Sequence, residues 1–390
     1  VPLSVSADTL LRLPIADCPQ ANYTPPIGSL KKSHAREDQM SGKTRLNRRD
    51  LLAGTGASAL ASTFPMPAIA QSPVELSIGI LNSASDVGIF LADKKGWFKE
   101  ERIIAKTIPF NSGVNMVAPM SAGQLDVGAG SVTAGLYNAV ARGFKMRVVA
   151  DKASSQPGYG VNKCLISKRH VVSGRYKELK DLKGMKVGMN GPGNSNWGSL
   201  WGALKMAGLQ LNDVTTVDLS YPDHVLAHQN NTLDASFTIE PHGTKTLLEG
   251  YAIEATSDDK TRPYHAVAQL LYPEKIAGNR DLGTRFMRAY LRGVRYYYGA
   301  LKDGKLAGPN AEEIIAVLTA NTATKDPQVY RTIVPNGIDP DGKINVETLK
   351  EDWNVYNQMG WIQNGATVDQ VIDMSFVEAA IKDLGPYKRA

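Results

Sequence analysis

The 390 residues, 43% of them hydrophobic, can bury two or three domain cores at about 100–200 residues each, so a small stapled module or a disordered chain is excluded. The formal charge of +6 invites a nucleic-acid reading, but residues 1–70 hold eight Lys/Arg against five Asp/Glu, leaving 36 against 33 in the remainder. No basic run there tracks a phosphate backbone, and that class drops out. No stretch of about 18 apolar residues follows position 70, so no helical membrane span is expected beyond it.

The N-terminus reads as an export leader. Residues 43–49, KTRLNRR, form a positive segment, residues 54–64 a mildly apolar one, and Ala68-Ile69-Ala70 an A-x-A cleavage site before Gln71. The run NRRDLL, residues 47–52, resembles a twin-arginine signal, with Asn where Ser or Thr is usual and Leu where Phe is usual. Residues 40–70 are therefore expected to be a twin-arginine-like signal peptide, cleaved near Ala70, and residues 1–39 an upstream extension that is not native. Cys18 and Cys164 flank the cleavage site. The exported chain keeps one cysteine, which excludes an internal disulfide and a cysteine-based metal site.

From Val74 the pattern alternates strand and helix. VELSIGI at 74–80 reads as a strand, 85–98 as a helix capped by Ser85, 103–110 as a strand, 111–123 as a polar turn with a short helix, 125–129 as a strand, 132–143 as a helix ending on Gly143, and 146–153 as a strand. Strands follow at 158–168, 181–190, 215–221 and 233–241, with a helix over 200–209 that closes on Gly208. After about Tyr264 the chain reads as helical to its end, in segments 281–301, 311–322, 345–361 and 367–385. Helical crossovers between strands imply mostly parallel sheets, whose ligands bind beyond the carboxyl ends of the strands. Small polar residues fall at four such places: 82–85, 111–115, 130–133 and 190–196. Each can present backbone N–H groups at a helix N-terminus, where the macrodipole favours an anion.

No catalytic constellation emerges. GAGSVTAG lacks the lysine of a phosphate-binding loop, and no G-x-S-x-G elbow occurs. His224 and His228 have the i,i+4 spacing of a metal pair but lack the neighbouring Glu of a zincin, and read as a surface helix. No enzymatic activity, cofactor or metal is expected.

Four segments carry a family resemblance: LADKKGWFKEERI at 91–103, residues 110–143 with Gly123, Asp126, Gly128 and Gly135, DLKGMKVGMNGPGNSNW at 181–197, and FTIEPHGTKTLLEG at 237–250. Together they resemble the periplasmic solute-binding proteins of the nitrate, sulfonate and taurine ABC importers, which are related to the binding proteins for thiamine-pyrimidine precursors. A departure is Glu100-Glu101-Arg102, where the family commonly has Glu-Gly-Leu. The resemblance implies an α/β, two-lobed type II periplasmic binding protein. Each lobe is expected to be a mostly parallel sheet flanked by helices, and the C-terminal region helical. It implies a first lobe from 71–158, a second from 159–260, and a return to the first lobe with the C-terminal helices over 261–390.

Carried onto this chain, the ligand-binding positions are Asn82, Ser83, Ser112, Asn115, Ser131, Thr133, Gly193, Asn194, Ser195, Trp197, Glu240 and His242. Trp197 stands as a lid over the ligand, and Trp201, on the same helix face, is left to the core. The function implied is capture of a small anion, such as nitrate, taurine, a sulfonate or an aromatic carboxylate. A periplasmic monomer would close its cleft on the solute and deliver it to an ABC permease and its ATPase subunits. The alternatives are a receptor for thiamine-pyrimidine precursors or a related enzyme, and a ligand sensor for a membrane kinase.

Overall fold

The structure, a computed structural model, describes residues 72–389. The leader, its cleavage site and residues 1–39 lie outside the described residues. Leu301–Lys302 and Lys305–Leu306 form a small two-stranded ribbon, and ten longer strands precede it in chain order: β1 Val74–Ile80, β2 Ile103–Pro109, β3 Val127–Gly130, β4 Met146–Ser155, β5 Asn162–Ser167, β6 Lys186–Met189, β7 Thr215–Asp218, β8 Ala235–Ile239, β9 Ala252–Ser257 and β10 His265–Pro273. They form two five-stranded sheets, ordered β2-β1-β3-β10-β4 and β7-β6-β8-β5-β9. In each sheet four strands point the same way and one is reversed: β10 is antiparallel to β3 and β4, and β5 to β8 and β9.

The reversal follows from connectivity. β4 ends where the lobes meet, so the chain enters the second lobe from that side and β5 must run away from it. β10 repeats this on the return. The other eight strands are left with their carboxyl ends at the junction, where an open α/β sheet binds its ligands.

The first lobe has a core of its own on one face of its sheet, and a second apolar cluster runs from the other face, at Met120, Val148 and Leu271, into the second lobe at Ile166, Val187 and Phe237. On one face of the first sheet, helices Val87–Lys94 and Arg280–Tyr298 pack Val87, Leu91, Phe286, Tyr290 and Val294 against Leu76, Ile78 and Leu270. Helices Ser195–Met206, Tyr221–Gln229 and His242–Leu248 belong to the second lobe, and helix Val346–Gln358 packs on both Ser195–Met206 and β10. No helix of the described residues is long and apolar enough to cross a membrane.

Three expectations are corrected. Residues 265–273, expected within the helical C-terminal part, form β10, buried along its whole length between β3 and β4 in the first sheet. A strand covered on both faces reads as an unbroken apolar run, without the alternation that marks a half-exposed one. The helix expected over 85–98 is broken: Ala84–Asp86 is a short 3-10 turn, the helix occupies Val87–Lys94, and Gly96 turns left-handed (φ 76°) before Trp97–Glu100. Ser85 is not its cap, because its hydroxyl accepts a bond from Lys152 Nζ at 2.7 Å. The surface reading of His224 and His228 also fails, since both are buried and His228 lies between the hydroxyls of Ser167 and Ser236, at 2.8 Å from each.

The chain crosses between lobes at 156–161 and 258–264. Asp258, buried in the second crossing, accepts the backbone N–H groups of Val161 at 2.8 Å and Asn162 at 2.9 Å at the end of the first. Asn162 continues the network to Ser199 at 3.0 Å and, through its carbonyl oxygen, to Asn196 at 2.8 Å. Arg262, in the second crossing, pairs with Asp352 on helix Val346–Gln358 and lies against helix Ser195–Met206 at Gly198 and Gly202. A methyl group on Gly198 would fall 1.9 Å from the Asp352 carboxylate. Gly198→Ala should therefore lower the unfolding free energy by about 1–3 kcal/mol through overpacking, despite a helix-propensity gain of about 1 kcal/mol. Gly135→Ala, where the nearest atom is an ordinary 3.6 Å away, should be neutral or slightly stabilising. Calorimetric melting of the two variants checks this, and equal midpoints would contradict it.

Candidate functional site

Loops from the carboxyl ends of strands in both lobes meet through direct hydrogen bonds. Ala84 N donates to Glu240 O at 3.1 Å, Asn190 Nδ2 to Asn111 O at 3.0 Å, and Ala134 N to Gly193 O at 2.8 Å. The hydroxyls of Ser131 and Ser195 are 2.8 Å apart, and Ser195 Oγ lies 2.7 Å from Val267 O. A hydroxyl has one proton; Ser195 gives its proton to that carbonyl, so Ser131 is the donor to Ser195. Two helices thus begin at the same place: Ala134–Ala141, capped by Thr133, from the first lobe, and Ser195–Met206, capped by Asn194, from the second.

Most of the expected site residues come together in three neighbouring groups. Ser131, Thr133, Gly193, Asn194 and Ser195 form the first: Thr133 Oγ1 accepts Leu136 N at 3.1 Å, Asn194 Oδ1 accepts Asn196 N at 3.0 Å, and Gly193 takes a left-handed turn (φ 66°) against Ala134. Ser131, which could have been a cap, is free of that duty and faces Ser195. Ser112 and Asn115 border a cavity of about 310 Å³ with Asn190, Gly191, Asp218 and Asp223. This cavity's lining contributes carboxylates but no lysine or arginine.

Asn82 and Ser83 form the third group, facing Glu240 and His242 across the Ala84 to Glu240 bond. Asn82 is left-handed (φ 55°), and the Ser83 hydroxyl lies 2.9 Å from that of Ser85. The Glu240 carboxylate is engaged within its own lobe, by Thr244 N at 3.0 Å and Thr244 Oγ1 at 2.8 Å, and lies 3.6 Å from Lys163. His242 is stacked on Tyr221, with ring centroids 6.4 Å apart. Trp197 stands apart from these groups. Its indole N–H donates to Gly191 O at 2.7 Å and its ring meets Trp361 edge-on at 4.6 Å. Trp201, left to the core by the sequence, is half-buried beside an outer groove, with Lys205 and Arg262 over its ring.

Two residues beneath the loops were missed. Lys152, fully buried on β4, lies 2.8 Å from Asp86 and holds the 83–86 turn in place. Gln269 on β10 is paired in register with Gly130 and Asp151; it is fully buried, and neither of its amide atoms has a hydrogen-bond partner. A polar residue within an apolar strand, as in MRVVADKASS and HAVAQLLYP, was the available signal, because such a group survives burial only where something pairs with it.

The charges near the site are matched within each lobe. Burial works against the Lys163 ammonium, but Glu240 and Glu254 outweigh it and hold its pKa above the usual range. Burial raises the Glu240 carboxyl, against the pull of Lys163. The positive potential left for a solute is that of backbone N–H groups at two helix N-termini.

Residues 84–300, more than half of the chain, match the protein family described as NMT1/THI5 like. The chain belongs to this family. A Brucella abortus relative, named only as a binding protein, is 29% identical over 239 residues, which cover 59% of this chain and 69% of the relative. Among solved structures, the alkanesulfonate-binding protein SsuA of Xanthomonas axonopodis pv. citri, bound to MOPS, superposes with a TM-score of 0.62 at 17% identity, covering 78% of this chain and 99% of that one. The periplasmic nitrate-binding protein NrtA of Synechocystis PCC 6803 gives 0.65 at 12%, covering 81% and 90%. At these identities the likeness is one of fold. This family member has the two-lobed α/β fold of the periplasmic binding proteins of ABC import systems.

Burial also makes the structure sensitive to acid. It pushes His224, His228 and His242 down to about 4, so between about pH 6.5 and 4 the unfolded chain binds protons that the folded one refuses. Stability is lost as pH falls through this window. Asp151 opposes the trend: burial raises it to about 7, which favours the folded state as pH falls from about 7 to 4. Three histidines outweigh one carboxyl. The urea midpoint should therefore be lower at pH 4.5 than at pH 7, and a midpoint unchanged or raised at pH 4.5 would refute this balance.

Proposed function

We propose that the protein is the solute-binding component of an ABC-type importer and captures a small anion between its lobes. The observation that carries this reading is the meeting of two helix N-termini, one from each lobe, at Ser131 and Ser195. An anion there would replace the direct contacts of Ala134 N with Gly193 O and of Ser131 with Ser195, taking hydroxyl and backbone donors from both lobes at once. The unpartnered amide of Gln269, in register with the residue before Ser131, adds a donor close by. Binding both lobes together favours the closed arrangement, in which the crossings at 156–161 and 258–264 act as the hinge. The named binding functions of SsuA and NrtA support an anion as the solute class.

In this reading the chain is exported to the periplasm, loses its leader near Ala70, works as a monomer and hands its solute to a membrane permease served by ATPase subunits. It makes and breaks no covalent bond. The 310 Å³ cavity, with its two carboxylates, is left to solvent at the mouth of the cleft.

A melting-temperature screen against nitrate, taurine, alkyl and aryl sulfonates, aromatic carboxylates and pyrimidines tests the proposal. A ligand present at 100 times its Kd should stabilise the native state by about 2.7 kcal/mol. Ser131→Leu and Ser195→Leu should each abolish the response while remaining folded. A shift produced by pyrimidines or cationic solutes, with every anion silent, would sink the anion reading.

A further inference from the structure

Trp197, expected as a lid over the ligand, instead faces the C-terminal part of the chain. Helix Val346–Gln358 is followed by a left-handed turn at Gly360 (φ 73°), and residues 361–366 then lie against both lobes. Trp361 sets its ring edge-on to Trp197, with centroids 4.6 Å apart, and Tyr356 backs it at 6.4 Å. A methyl group on Gly193 would come within 3.4 Å of the same ring. Trp361 therefore supports the 191–197 turn, whose Gly193 and Asn194 shape the start of helix Ser195–Met206.

The rest of the segment is fixed to the first lobe. Asn138 stands on helix Ala134–Ala141, where its Nδ2 donates to Trp361 O at 2.8 Å and its Oδ1 accepts Gln363 N at 2.9 Å. Ala366 N donates to Tyr137 O at 3.0 Å, and the indole N–H of Trp353 donates to Ala366 O at 3.0 Å. These six residues thus hold both helices whose N-termini face one another at Ser131 and Ser195. The two attachments are unequal. Among the described residues, the segment's hydrogen bonds run to the first lobe and to helix Val346–Gln358, while the second lobe is met by the Trp361 ring. Three directional bonds outweigh one edge-on ring contact, so lobes that part would separate between Trp197 and Trp361 and leave the segment with the first lobe.

We propose that residues 361–366 are a clasp that regulates the anion site: Asn138 anchors it, Trp361 engages Trp197, and together they hold the two helix N-termini face to face before a solute arrives. Trp361 and Asn138 are positioning residues, and neither touches the solute. A site assembled in advance leaves less ordering for binding to accomplish, so loss of the clasp lowers the competent population and weakens capture. The regulatory role rests on the binding-protein reading. The clasp itself does not.

The amide of Ala134 reports the clasp directly. It donates to Gly193 O across the junction, so it resists hydrogen exchange while the helices face one another and exchanges when they part. In the solute-free protein, Trp361→Ala and Asn138→Ala should each speed exchange at Ala134 by about tenfold and leave the amides of β1 and β8 unchanged, with Trp361→Phe within about twofold of wild type. The double variant should be no faster than the faster single one, because either change alone releases the clasp. Four results would overturn the proposal: exchange at Ala134 unchanged in both Ala variants, exchange rising equally at β1 and β8, a Phe variant as fast as the Ala one, or effects that multiply in the double variant. Asn138 is half-buried on its helix, so its variant keeps the test decisive should Trp361→Ala not fold.

Calorimetric titration with nitrate, methanesulfonate and taurine then separates regulation from the functional reading. Binding about tenfold weaker in the two Ala variants than in wild type supports the regulatory role, and equal binding overturns it. Wild-type protein that binds none of the three counts against the anion reading, and exchange at Ala134 still decides the clasp.

Discussion

The carboxylate of Asp258 ties together the two segments that join the lobes. A buried carboxylate is costly unless hydrogen bonds replace its water, and this one takes two backbone N–H groups from Val161 and Asn162 and the side-chain amide of Asn162 at 3.2 Å. It belongs to one crossing and its donors to the other, so the two segments that join the lobes are tied side by side. The bonds from Asn162 to Ser199 and Asn196 then reach the first turns of the helix that carries Ser195. The crossings and the two facing helix N-termini share one polar network. In the proposed closure, movement at the crossings would reach the N-terminus of that helix through this network.

What crosses the junction differs in kind from what holds each lobe. Lys152 with Asp86 is confined to the first lobe, and Lys163 with Glu240 and Glu254 to the second. Breaking a buried ion pair by removing one partner costs about 3–5 kcal/mol, and each of these two sets lies within one lobe, whereas the buried Arg262–Asp352 pair ties the second crossing to helix Val346–Gln358. Across the junction run neutral hydrogen bonds, each worth about 0.5–1.5 kcal/mol net, together with a small apolar cluster and the larger one that joins the two sheets. In the proposed function, a solute that replaces these contacts would shift the balance between open and closed.

Much of the candidate site's loop structure was legible because its local rules are strict. Small polar residues after a strand and before a helix are demanded by capping and by tight turns, and Thr133, Asn194 and Ser112 all serve as caps. The identity of the cap itself was less certain. Ser131 is two residues too early to cap its helix and Ser85 is drawn away by Lys152, since the same hydroxyl can serve a backbone N–H or a distant partner. β10 was lost because a fully buried strand and a buried helix share one apolar composition. The burial of His228 was lost because its two serine partners lie 61 and 8 residues away.

The sequence by itself determined the alternation of strands and helices through most of the chain, the turns that end on glycine and the positions of the polar loops. These depend on spacing and backbone conformation within a few residues. Only the tertiary structure decided which loops face one another, that Ser131 meets Ser195 across 64 residues, that Asp258 joins the crossings, and that apolar residues from both lobes form one wall. Those pairings are set by sheet order and by the reversal of β5 and β10. No local pattern in the chain encodes which distant strand will lie beside another.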